Sequence, residues 1–189
     1  MIERLVEKLV NEQVERGIID ESQQVLYRYG YIVLVEILIN VVLAFVVGVW
    51  SGRMFLVVLF NLIFIPLRSY CGGWHASKSW ICMLFSTGTL ILVVFLEQFS
   101  LLLIKLAFFM EMFSVVVILS FAPIDSDSKR LDEKERKLFQ NIARFILILE
   151  VVALIMSRYF KCDTLSVSII CAHMLQSISL CVCVHKKNV

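Results

Sequence analysis

The chain has 189 residues, of which 60% are hydrophobic and 18% charged, and its mean hydropathy is +0.87. A soluble domain of ordinary composition carries roughly a quarter charged residues, so the composition argues against one and predicts a single all-α polytopic membrane domain over 1–189. The net charge of +2, with no arginine-rich stripe, gives no footing for nucleic acid as a partner.

The first 17 residues lack the continuous apolar core of a secretory signal. Ile2, Leu5, Val6, Leu9, Val10 and Val14 recur at helical spacing, with Glu3, Arg4, Glu7, Lys8, Glu12 and Arg16 opposite them. That pattern predicts an amphipathic helix over 1–20, lying in the interface of the lipid bilayer or packed on the protein's own cytoplasmic face. Asp20, Glu21, Ser22 and Gln23 then read as a cap for the helix that follows.

Apolar runs mark about six transmembrane spans, near 31–50, 54–67, 80–96, 101–122, 142–160 and 164–184. The run 54–67 is short and ends at Pro66, so it either crosses with help from its flanks or enters and returns. With a cytoplasmic N-terminus, the inner segments hold 14 of the 18 Lys and Arg residues and the outer loops only Arg53, Arg158 and Lys161. The positive-inside rule then puts both termini and the loops 68–79 and 123–141 in the cytoplasm.

Several polar residues lie inside these runs. Glu36 and Asn40 are four apart in the first, Glu111 is in the fourth, and His173 and Gln176 share a face of the sixth. Such groups face a protein interior, as inter-helix hydrogen bonds or as functional side chains. The six cysteines sit in or beside apolar spans, which does not suit a disulfide framework. With no CxxC pair and no HExxH, neither a metal nor another cofactor is expected.

The segment 66–82 reads Pro-Leu-Arg-Ser-Tyr-Cys-Gly-Gly-Trp-His-Ala-Ser-Lys-Ser-Trp-Ile-Cys. Gly72 and Gly73 end a helix and permit close approach of another chain segment. His75 and Cys82 follow, seven residues apart. On one straight helix their Cα atoms stand about 10.5 Å apart along the axis, too far for an imidazole–thiol hydrogen bond. If the two act together, His75 lies on a loop folded back toward Cys82. A free thiol titrates near about 8.5, and an adjacent imidazole that takes its proton makes a nucleophile able to attack an amide carbonyl. A lone His and Cys near an interface also occur as structural residues, and spacing does not separate the two readings.

Residues 68–75, with Cys82 seven further on, resemble the signature of the accessory gene regulator B (AgrB) family. A second stretch, Phe121-Ala-Pro-Ile-Asp-Ser-Asp-Ser-Lys129-Arg-Leu, is similar to the family's Ala-Pro motif and the basic loop after it. The resemblance extends over essentially the whole chain. It implies a homodimeric membrane cysteine peptidase of a Gram-positive bacterium, with Cys82 as nucleophile and His75 as general base and acid. The implied substrate is an AgrD-type quorum-sensing propeptide, whose C-terminal tail is removed and whose core is cyclised through a thioester to a thiolactone or lactone. Arg68, Lys129 and Arg130 are then candidates for docking the acidic tail, or are simply positive-inside charges. Gly72 and Gly73 are candidate substrate-binding residues, the backbone amides around Gly72–Trp74 or Arg68 being candidates to stabilise the oxyanion. Asp125, Glu36 and Ser69 are candidates to orient His75. The rival reading is a small membrane exporter of peptides without proteolytic activity.

Overall fold

Lipid offers no hydrogen-bond partners to a backbone, so each long apolar run closes its amides on itself as a helix. The computed structural model describes residues 2–73, 79–124 and 132–188. Within them lie seven α-helices: α1 (Ile2–Glu15), α2 (Gln24–Ser51), α3 (Met54–Cys71), α4 (Ser79–Glu97), α5 (Ser100–Phe121), α6 (Glu133–Tyr159) and α7 (Asp163–Asn188). No β-strand occurs among the described residues, so the chain is an all-α polytopic bundle. Five of the helices, α2, α3, α5, α6 and α7, are long and apolar enough to cross a membrane, and α4 contributes a shorter apolar stretch, Met83–Glu97.

The bundle is organised around its last helix. Fifty-six per cent of the apolar window of α7 is buried, against 11% for α2. Helix α7 packs against α5, α3 and α6, while α2 runs along the outside against α1, α3 and α4. Val167, Ile169, Ile170, Ala172 and Leu180 of α7 are fully enclosed. So are the polar residues Ser166, Ser168, His173, Gln176 and Ser177, and a helix polar on its packed face belongs in a protein interior rather than against lipid. The large apolar side chains of α2, among them Leu34, Val41, Phe45 and Trp50, are exposed.

Local chemistry decides three helix boundaries. Asp20 makes no capping hydrogen bond, and a 3-10 turn, Glu21–Gln23, precedes α2 instead. Helix α3 continues through Pro66 to Cys71. Proline there removes one intrahelical bond, a loss that membrane helices tolerate when neighbours supply packing. Helix α6 starts with a capping box, in which Asp132 accepts from the Glu133 amide at 2.6 Å and Glu135 reaches back to the Asp132 amide. This satisfies donors that the first helical turn leaves open.

Helix α1 packs one face on the bundle. Val6 and Val10 are buried, and Gln13 bonds Tyr31 and Asn11 bonds Gln24 at the start of α2. Leu5, Leu9 and Ile18 remain exposed, an apolar edge suited to the bilayer interface. At the other end of the bundle the short α2–α3 and α4–α5 turns are joined by the Arg53–Glu97 ion pair at 3.0 Å. Arg158 and Asp163 likewise pair at 3.0 Å across the α6–α7 turn.

Candidate active site

Helix α3 ends because Gly72 takes a positive φ of 69°, a conformation L side chains rarely adopt. The chain then runs beside the residues that leave α5. Gly72 forms a parallel β-bridge with Ile124, and the Ile124 N–H donates to the Cys71 carbonyl at 3.0 Å. A Cβ on Gly72 would collide with the Ile124 carbonyl oxygen, so only glycine fits this approach.

Helix α7 holds the same strap from the inside. The Gln176 side-chain N–H donates to the Gly72 carbonyl at 2.8 Å. Arg68, one turn before the end of α3, donates to Ser179 Oγ at 2.5 Å. Gly73 is buried with φ 133°, and a Cβ there would stand 2.6 Å from the Arg68 guanidinium and 2.7 Å from Ser179 Oγ. Below the strap, Leu67, Cys71, Val117, Ile118, Ala122, Ala143, Leu147 and Leu180 form one apolar cluster drawn from α3, α5, α6 and α7.

The fold therefore brings together the described parts, 68–73 and 121–124, of the two stretches singled out in the sequence. Helix α4 begins at Ser79 and carries Cys82 in its first turn. His75, Asp125, Lys129 and Arg130 lie outside the described residues, and with them the proposed folding-back of His75. Ser69 bonds its own helix at the Ile65 carbonyl, 2.7 Å away, and is exposed.

Comparison with known proteins bears on this pairing of motifs. The profile of the family described as accessory gene regulator B matches residues 2–180. The chain belongs to that family. Two proteins of Clostridium perfringens, from strain SM101 and strain 13, are named as AgrB-like. Each is 27% identical to this chain, over 82% of it and 78% of the relative. No solved structure matches. Membership in the accessory gene regulator B family ties the chain to the agr quorum-sensing system.

A second polar constellation sits deeper in this family member. His173 Nδ1 lies 2.7 Å from Glu111 of α5, and Nε2 lies 2.9 Å from Glu150 of α6. His173 falls about 15 Å along α7 from Asp163, close to the middle of a hydrocarbon core about 30 Å thick. Both ring nitrogens are committed to carboxylates, which ties three helices at one depth. Glu111 and His173 were visible as intramembrane polar residues. Glu150 is absent from that set, although a carboxylate between Leu149 and Val151 carries the same signal. Glu36 and Asn40, by contrast, do not bridge helices: Asn40 donates to the Glu36 carbonyl of its own helix at 2.9 Å. Cys71, Cys162, Cys171, Cys181 and Cys183 are free thiols. Among the described residues no three His, Cys, Asp or Glu side chains are disposed to hold a metal ion.

Proposed function

We propose that this protein is a membrane-embedded cysteine endopeptidase that trims and cyclises an AgrD-type autoinducing propeptide. The observation that carries the reading is the pairing of Cys71 and Gly72 with Ile124. It anchors the glycine pair that leads into His75, ahead of the helix whose first turn holds Cys82.

In the proposed reaction His75 removes the proton of the Cys82 thiol, and the sulfur attacks the scissile carbonyl carbon. The C–N bond breaks as the imidazolium returns the proton to the leaving nitrogen, so the tail departs as a free amine. The propeptide core remains on Cys82 as a thioester. A Cys or Ser side chain within the core then attacks that carbonyl, the S–C bond breaks, and the released proton returns through His75 to Cys82. The product is a thiolactone or lactone ring. Holding the core beside the thioester makes ring closure effectively unimolecular, and a site at the membrane boundary keeps water from competing.

Amide-to-thioester exchange is uphill, so loss of the tail drives the first step. Lys129 and Arg130 are proposed to steer an acidic tail from the cytoplasmic side. Arg68 bonds Ser179 behind Gly73, a placement that supports a share for it in shaping the strap as well as in docking. The working unit is proposed to be a homodimer, with both termini in the cytoplasm.

Purified protein in vesicles, given a synthetic propeptide with an acidic C-terminus, is expected to release the tail and a core lighter by one water than its linear acid. Cys82→Ala and His75→Ala should each abolish both products while the protein remains inserted. Cleavage by Cys82→Ala at an undiminished rate would sink the mechanism.

A further inference from the structure

Gln176 is an expensive residue at its position. It is fully buried on α7, the Gly72 carbonyl takes one of its N–H donors, and its Oε1 is enclosed with no hydrogen-bond partner among the described residues. An enclosed acceptor without a partner is desolvated and uncompensated, so an apolar side chain of the same size would pack here without that cost. The α-helical part of the bundle does not require the amide. Helix α3 has already ended at Cys71, and the Gly72 carbonyl belongs to the strap rather than to a span.

Among the described residues the hydrogen-bond partner of Gln176 is thus a backbone atom three residues before His75. Three contacts define that point of the chain. Ile124 fixes the strand from one side by backbone pairing, Arg68 and Ser179 enclose Gly73, and Gln176 holds the Gly72 carbonyl from the core. A peptide held through its carbonyl has its plane fixed, and hence the direction in which the following residues leave it. Removing the Gln176 donor leaves the Ile124 pairing intact but frees that plane to rotate.

We propose that Gln176 is a positioning residue for the peptidase reaction, fixing through the Gly72 carbonyl the backbone that leads into His75. This rests on the peptidase reading above. Gln176 touches no reacting atom in this account, and its contribution is geometric. A misplacement near 1 Å is enough to slow chemistry about a hundredfold.

The test uses full-length protein in lipid nanodiscs and three variants. Gln176→Met keeps the volume and removes the donor. Gln176→Asn keeps the amide but draws it back by one methylene. Ser177→Ala removes a neighbouring buried hydroxyl that bonds the Met174 carbonyl of its own helix, and serves as the control. Two quantities are read: the split between kcat and KM for propeptide cleavage, and the rate of iodoacetamide alkylation at Cys82 at neutral pH, resolved by peptide mass.

Gln176→Met is expected to lose about tenfold to a hundredfold in kcat with little change in KM. Its Cys82 alkylation should fall toward the rate of His75→Ala, while Ser177→Ala stays near wild type in both. If Gln176→Met does not fold, the same losses are expected of Gln176→Asn. Wild-type kcat and alkylation in whichever variant folds would overturn the inference. So would a loss of cleavage that tracks a lowered Tm with Cys82 reactivity unchanged, since that is a merely structural role. Failure of the wild type to cleave, or cleavage by Cys82→Ala, would instead remove the peptidase reading on which the inference stands.

Discussion

Gly72 shows how much a single hydrogen in place of a methyl can carry. Its φ of 69° is one requirement, and the Ile124 carbonyl lying where a Cβ would be is another. The first alone costs about 1–3 kcal/mol for a non-glycine residue, and the second cannot be relieved without parting the strap from the 121–124 segment. Gly72→Ala is therefore expected to lower the thermal stability of the purified protein and to abolish cleavage. Unchanged melting and turnover would show that the strap yields easily. Ser69 makes the contrast: exposed and bonded to its own helix, it should tolerate alanine in both measurements.

At the scale of elements, the three-helix tie through His173 is the feature with the largest stake. Two carboxylates and an imidazole share a site near the membrane mid-plane. Truncating Glu150 leaves Nε2 of His173 enclosed without its partner, which costs about 1–3 kcal/mol, while Nδ1 keeps Glu111. Glu150→Ala should therefore unfold at markedly lower temperature in detergent, and Glu150→Gln, which keeps a hydrogen-bonding group in place, should lose less. Equal stability of Glu150→Ala and wild type would show that the tie contributes nothing. The helices themselves were legible in the sequence because every residue of an apolar run contributes to the signal. What joins them was not, since Glu111, Glu150 and His173 come from three separate runs and nothing local says which depths coincide. The same limit applied to the strap. Gly72 and Gly73 signalled a helix end and a close approach, but only the fold reveals that Ile124 and Gln176 are what approaches. Pro66 misled in the other direction, because tertiary packing carries α3 one turn past it.

For the whole molecule, the Arg53–Glu97 pair puts the α2–α3 and α4–α5 turns at one end, opposite the strap. If lysine and arginine placement sets orientation, that end faces outward. Cys162, partly exposed in the α6–α7 turn, should then react with a membrane-impermeant maleimide in intact cells, and a cysteine placed at residue 78 should react only after permeabilisation. The reverse pattern would move the proposed site to the outer face. A different consequence follows from how the strap is made. Its junction with the chain leaving α5 is backbone to backbone, and backbone is blind to side-chain identity but strict about count. Ile124→Val should therefore leave cleavage untouched. A single alanine inserted between Phe121 and Ile124 would shift the paired carbonyl and amide out of step and should be as damaging as losing Gly72. In this part of the molecule it is arithmetic along the chain, more than chemistry at any one position, that has to be kept.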